Sequence, residues 1–317
     1  MDQIAPRSLL LETTKFRDPD ITARGDARAK VALRSLETLW FNTGTVCNLT
    51  CSNCYIESSP RNDRLAWLTR ADVRDYLDEI ASTRQPTLLI GFTGGEPFMN
   101  PDIIGMLDDV LAAGLRALVL TNAMRPMRRH RTSLLGLSAR YGHLLEIRVS
   151  LDHYTPDVHE AERGPRSWAP TLEGLVWLSD SGFAVHVAGR RFTSESEDDL
   201  RAGYARLFER HNIGIDAGDP VRLMLFPEMN PEHEVPEIST ACWDILGRSP
   251  EDVMCSSARM VVRRKGAPHP VVQACTLLAY DERFELGRSL AQASRPVALN
   301  HPYCASFCVL GGAACSR

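Results

Sequence analysis

Three cysteines fall within eight residues at Cys47, Cys51 and Cys54, in the stretch TVCNLTCSNCYIES. Thiols at that density serve a disulfide or a metal, and nine cysteines in all, an odd number, are poor disulfide material. Three thiolates on one loop can hold three corners of an iron-sulfur cube and leave the fourth iron open to a substrate or cofactor. The alternative is a zinc site completed by a distant ligand, but zinc motifs more typically pair two C-x2-C knuckles, and no second knuckle occurs. Further along, Gly94, Gly95 and Glu96 follow an apolar run; alone, such a pair of glycines makes an ordinary turn.

Elements must carry these residues to one place. Short apolar runs at Leu36–Gly44, Thr87–Gly95, Arg116–Ala123, Leu144–Asp152, Gly182–Arg190 and Val221–Glu228 predict six strands buried on both faces. Helical patterns lie between them at Arg70–Ser82 with Thr69 as N-cap, Pro101–Gly114, Arg129–Tyr141, Pro170–Ser181 and Glu197–His211. Six strands alternating with helices predict an α/β fold with parallel strands, open or closed into a partial (βα)6 barrel of TIM type. The expected organisation is an N-terminal extension (1–35), the barrel (36–228) and a small cysteine-rich C-terminal module (229–317). In such folds ligands bind at the C-terminal ends of the strands. There the sequence places the three cysteines, Thr93–Pro97, Ser150–Asp152 and Gly189–Arg191, all aimed at one mouth.

Composition narrows the partners. The chain has 317 residues, 44% hydrophobic and 24% charged, with a net charge of -4, which gives no general attraction to nucleic acid or anionic lipid. The basic run Met127–Arg131 is short enough to be a solvated helix face. No signal peptide or membrane-spanning run is visible, so a cytoplasmic protein with small-molecule or protein partners is expected.

Taken in this order and spacing, C-x3-C-x2-C followed by Tyr55 and then the Gly-Gly-Glu turn resembles the radical S-adenosylmethionine (SAM) superfamily over about Leu36–Glu228. The resemblance implies that Cys47, Cys51 and Cys54 ligate a [4Fe-4S] cluster whose open iron binds SAM. Gly94, Gly95 and Glu96 would meet the methionyl ammonium, where carbonyls and a carboxylate suit a cation. Ser150 and Asp152 would reach the ribose or carboxylate, Arg190 the carboxylate, and Tyr55 would shape the adenine site. The implied chemistry belongs to the cofactor, a one-electron cleavage of SAM that starts hydrogen abstraction from substrate. Flavodoxin or ferredoxin is the implied electron donor. No residue is assigned a catalytic role of its own.

The C-terminal region holds six more cysteines. Cys255–Cys275 reads as a β-hairpin with a thiol at each end, followed by Cys304, Cys308 and Cys315. This looks like the SPASM and Twitch auxiliary-cluster modules of the same superfamily, although the terminal spacing departs from the SPASM pattern. An auxiliary [4Fe-4S] cluster on Cys255, Cys275 and two of the last three is the preferred expectation, with Cys242 a buried hydrophobe. Two alternatives stay open: terminal thiols that hold a thiophilic substrate such as arsenite for transfer of a SAM fragment, and a non-catalytic zinc-binding scaffold. Auxiliary modules of this kind imply a peptide or small-molecule substrate. About 35 residues precede the first strand without a clear winged three-strand pattern, which weighs mildly against leader-peptide recognition.

Overall fold

The apolar runs become strands where expected. In the computed structural model, which describes residues 12, 14–230 and 232–313, a short β1 (Lys30–Val31) precedes β2 (Thr38–Asn42), β3 (Leu89–Thr93), β4 (Arg116–Thr121), β5 (Leu145–Ser150), β6 (Ala184–Arg191) and β7 (Leu223–Pro227). Strands β2 to β7 pair in sequence order and all in parallel. Every residue of β2 and β3 is buried, which is why these strands carry continuous apolar runs instead of an alternation.

The connecting helices are α1 (Arg70–Thr83), α2 (Ile103–Ala112), α3 (Arg125–Arg128), α4 (Arg131–Tyr141), α5 (Pro156–Arg163), α6 (Trp168–Asp180) and α7 (Glu197–Arg210). The Thr69 hydroxyl caps α1 by accepting from Asp72 N, and the Asp72 carboxylate returns a bond to Thr69 N. Sequence patterning anticipated five of these helices and missed α3 and α5; α5 turns out to border the site.

After β7 come α8 (Cys242–Leu246), β8 (Ala258–Val262), β9 (Val271–Gln273), β10 (Glu285–Gly287) and β11 (Val297–Ala298). The expected hairpin is present as β8 antiparallel to β9, with Met260 opposite Gln273. It joins the barrel sheet: β8 runs parallel to β2, with Ala258 level with Thr38, so one nine-stranded sheet runs from β10 to β7. The barrel is therefore partial. Its open side meets the last helical segment, Cys304–Val309, a π-helical turn in which Leu310 N donates to Ala305 O. Phe307 of that turn stacks on Phe226 of β7 at 5.6 Å.

The ends of the chain are tied together. β1 pairs with β11 in antiparallel fashion, and buried Arg28 forms an ion pair with Glu237 at 2.5 Å. No helix among the described residues is long and apolar enough to cross a membrane.

Because β8 covers β2, a chain ending at Glu228 exposes an unpaired strand carrying buried Trp40 and Phe41. That fragment is expected to aggregate on size-exclusion chromatography. A monomeric fragment that unfolds cooperatively contradicts this reading of the sheet.

Candidate active site

A cavity of about 1090 Å³, counting the open solvent at its mouth, sits at the C-terminal ends of the parallel strands. Its wall includes Cys47, Cys51, Cys54 and Tyr55 from the loop after β2, and Gly94 and Gly95 from the turn after β3. Ser150 at the end of β5, Asp152 just after it and Arg190 near the end of β6 also line it. Leu277 and Phe307 from the C-terminal region close the cavity, a contribution the sequence did not reveal.

The glycine turn grips the cysteine loop. Gly95 N donates to Gly44 O at 2.8 Å and Glu96 N to Val46 O at 3.1 Å. A Cβ on Gly94 would meet Gly44 O at 2.4 Å, and one on Gly95 would meet Val46 O at 2.3 Å; Gly94 also holds φ +132. Only glycine lets the two backbones come this close. On the other side, Ser52 N donates to Glu162 O at 2.8 Å and Asn53 Nδ2 to a Glu162 carboxylate oxygen at 2.8 Å, so α5 fixes the loop from below.

Within the loop, Leu49 N donates to Cys47 Sγ at 3.4 Å and Ser58 N to Cys54 Sγ at 3.3 Å. Burial pushes the Cys47 thiol up to about 12, with the Glu96 charge adding to the effect. Burial raises Cys51 as well, against the pull of Arg163. The protein alone thus disfavours thiolates here, and a metal cation bound by the sulfurs would supply what it lacks.

Glu96 corrects an expectation. Its carboxylate is not on the cavity wall but turned into the strand ends, where it accepts from Thr121 Oγ1 (2.8 Å), Asn122 N (2.9 Å) and Phe98 N (3.2 Å). Burial raises it to about 7, against those three donors. Glu96 therefore ties the glycine turn to the end of β4 and to Asn122, which does line the cavity.

Two ion pairs shape the opposite wall. Arg163, from α5, reaches Asp152 at 2.9 Å, and Arg190 reaches Glu162 at 3.0 Å. Burial works against the Arg163 charge, yet Asp152 and Cys51 outweigh it and the guanidinium is held more firmly protonated than usual. Arg163 Nε and Arg190 Nη2 are buried without hydrogen-bond partners, and both residues line the cavity. Arg163 is a cavity-lining residue that sequence reasoning missed; the Thr155-Pro156 start of α5 was its available signal. His153 and His159, by contrast, face away from the wall: His153 Nε2 meets Glu195 at 2.8 Å, and His159 Nδ1 accepts from Asp152 N at 3.3 Å.

A second cavity of about 290 Å³ is lined by Cys255, Cys275, Cys304 and Cys308 among apolar side chains such as Met254, Leu278 and Leu299. Cys255 lies just before β8, level with the N-terminal end of β2 and away from the mouth. Leu277 and Phe307 belong to the same segments but line the first cavity and not the second. Burial pushes Cys255 up to about 11 and raises Cys304 well above an ordinary thiol. Cys315 lies outside the described residues, and Cys242 lines neither cavity. Among the described residues no disulfide forms, and no three or more His, Cys, Asp or Glu side chains converge as they would on a single metal ion.

The family model described as the radical SAM superfamily matches residues 41–201, which holds both the cysteine loop and the glycine turn. The chain belongs to the radical SAM superfamily. This is a superfamily of enzymes, and its cofactors are a [4Fe-4S] cluster and SAM. The chain is 34% identical over 143 residues to the antilisterial bacteriocin subtilosin biosynthesis protein AlbA of Bacillus subtilis (strain 168), a match covering 45% of this chain and 30% of AlbA. It is 28% identical over 159 residues to the mycofactocin maturase MftC of Mycobacterium ulcerans (strain Agy99), covering 49% of this chain and 41% of MftC. The chain thus spans less than half the length of these curated relatives. Among solved structures, Streptococcus suis SuiB bound to S-adenosylmethionine shares the fold, with a TM-score of 0.58 and 13% identity, covering 80% of this chain and 63% of SuiB. A radical SAM chain needs three thiolates around a cluster and a polar pocket beside them. The donor set fits: three cysteines share a wall with two arginines that each keep a buried nitrogen without a hydrogen-bond partner.

Replacing Gly95 by Ala puts a methyl group inside the Val46 carbonyl, an overpacking that typically costs about 1–3 kcal/mol. The Gly95→Ala protein is expected to lose at least about tenfold in SAM affinity, or about 1.4 kcal/mol, with unchanged far-ultraviolet circular dichroism. Wild-type SAM binding in that variant, read by calorimetry on reconstituted protein, contradicts the clamp.

Proposed function

We propose that this chain is a radical SAM enzyme acting on a peptide, with the barrel (36–228) holding SAM and the C-terminal module (229–317) holding an auxiliary [4Fe-4S] cluster. The observation that carries the reading is the shared wall of the first cavity, where one loop's three thiols, a glycine turn and two arginines with buried, unpartnered nitrogens converge. Cys47, Cys51 and Cys54 are assigned to the SAM-binding cluster. When bound, that cluster and SAM supply one-electron cleavage of a carbon-sulfur bond, which opens radical chemistry at a substrate C–H.

The protein's own groups bind, orient and exclude. The amide donors of Leu49 and Ser58 stabilise charge on Cys47 and Cys54. The backbone of Gly94 and Gly95 is assigned to the methionyl ammonium, and the unpartnered nitrogens of Arg163 and Arg190 to the carboxylate. Ser150 and Asp152 are assigned to the ribose side and Tyr55 to the adenine. Leu277, Phe226 and Phe307 cover the space with apolar surface, which keeps water from the reacting centre.

Cys255, Cys275, Cys304 and Cys308 are assigned to the auxiliary cluster, which makes Cys304 and Cys308 the two chosen from the terminal three. All four line one apolar cavity. Burial of Cys308 weakens the reading in which terminal thiols capture arsenite from solvent, while Cys315, the other thiol of that reading, lies outside the described residues. The peptide assignment draws on the named relatives, a bacteriocin biosynthesis protein and a maturase. A flavodoxin or ferredoxin type carrier is assigned as the electron source.

Reconstituted full-length protein with SAM and dithionite is expected to release 5′-deoxyadenosine and to hold roughly eight irons, falling to roughly four in the Cys47→Ala/Cys51→Ala/Cys54→Ala variant. With a deuterated peptide library present, deuterium is expected in the released 5′-deoxyadenosine. No nucleoside release, or roughly four irons falling to none, would overturn the respective assignments. Deuterium entering only from solvent would overturn the peptide reading.

A further inference from the structure

Arg259 is among the largest fully buried side chains, at 1% exposure, and it lies on β8, four residues after Cys255. Its guanidinium is hydrogen-bonded throughout, but only to neutral carbonyls. Nε donates to Ala293 O (2.9 Å), Nη1 to Cys255 O (2.5 Å) and Ala258 O (2.8 Å), and Nη2 to Arg295 O (3.5 Å). Among the described residues no carboxylate forms an ion pair with it.

Other arginines are placed against a carboxylate: buried Arg28 has Glu237, half-buried Arg163 has Asp152, and exposed Arg283, whose charge is also felt at Cys304, has Asp281 at 2.6 Å, whereas buried Arg148 of β5 donates to Met224 Sδ. An arginine buried with no counter-charge is costly, and proteins normally place such a group against an anion. Burial lowers the Arg259 pKa, the groups that oppose this through space are the sulfurs of Cys255 and Cys275, and the guanidinium is bonded to the backbone of the first of these.

We propose that Arg259 is a positioning residue that fixes a buried positive charge beside the group held by Cys255, Cys275, Cys304 and Cys308 and thereby raises that group's reduction potential. The inference rests on the four-cysteine reading. Four thiolates around a cluster carry net negative charge, and adding one electron makes the assembly more negative still. A fixed cation nearby stabilises the reduced form more than the oxidised form, and cluster potentials respond to net charge in this way. Arginine suits the task because it stays protonated in an apolar setting where lysine and histidine lose their charge more readily. Its carbonyl partners keep it in place without cancelling its charge, which a carboxylate would do.

The test uses full-length protein carrying Cys47→Ala, Cys51→Ala and Cys54→Ala, so that only the second cluster is observed. Its one-electron reduction by dithionite with redox mediators is followed by electron paramagnetic resonance. Arg259→Gln, which keeps hydrogen bonding and removes the charge, is expected to lower the equilibrium constant for reduction at least tenfold, a shift of about 59 mV for one electron. Arg259→Lys, which keeps a charge, is expected to stay within threefold of the parent. An unchanged potential in Arg259→Gln overturns the inference alone, as does an equal shift in both variants, since that would assign the effect to hydrogen-bond geometry. If Arg259→Gln does not accumulate folded, Arg259→Lys decides: a parental potential supports the role and a tenfold loss contradicts it. Absence of iron in the parent overturns the four-cysteine reading and the inference with it.

Discussion

The mouth of this barrel depends on two backbone hydrogen bonds, from Gly95 N to Gly44 O and from Glu96 N to Val46 O. They hold the turn after β3 against the loop after β2 at a distance that excludes any side chain. A cluster site built on a loop needs its ligands held in place, and here the rigid sheet transmits order to the loop through a neighbouring turn. Glu96 extends the same restraint one strand further by bonding Thr121 and Asn122 at the end of β4. Three consecutive strand ends are thus fastened before any ligand arrives.

A second set of restraints is ionic and comes from α5. Asp152 with Arg163, and Glu162 with Arg190 and Asn53, join the ends of β5 and β6 to the cysteine loop. Buried pairs of this kind contribute little net stability after desolvation, but losing one partner strands a buried charge. Their value here is geometric: each arginine lines the cavity, anchored through one nitrogen while another is buried without a hydrogen-bond partner. The C-terminal region supplies the apolar cover. Tyr280 donates to Ile56 O at 2.7 Å and Ala66 N to Arg263 O at 2.7 Å, so the hairpin that bears the second thiol group is strapped to the loop that bears the first.

Much of this was legible in the sequence because parallel strands buried on both faces write themselves as continuous apolar runs, and all six were placed within about two residues at most ends. The three-cysteine loop and the hairpin were legible for the same kind of reason, since spacing and turn chemistry are local. What was hidden depends on three-dimensional direction. Helix α5 buries only His159 and so shows no apolar stripe, which concealed Arg163. The Glu96 side chain turns inward because Gly94 takes a positive φ and Pro97 begins a short helical turn, neither of which reveals where a carboxylate points. Leu277 and Phe307 neighbour cysteines in the chain, yet face a different cavity.

The central claim is that one chain builds two separate cysteine-lined spaces, one at the barrel mouth and one in the C-terminal region. An anomalous-scattering map at the iron edge, from crystals of anaerobically reconstituted protein, tests it most directly. The account predicts two iron peaks, one beside Cys47, Cys51 and Cys54 and one enclosed by Cys255, Cys275, Cys304 and Cys308. A single peak at the mouth, or a second peak held by Cys242 or Cys315 in place of those four, would contradict it.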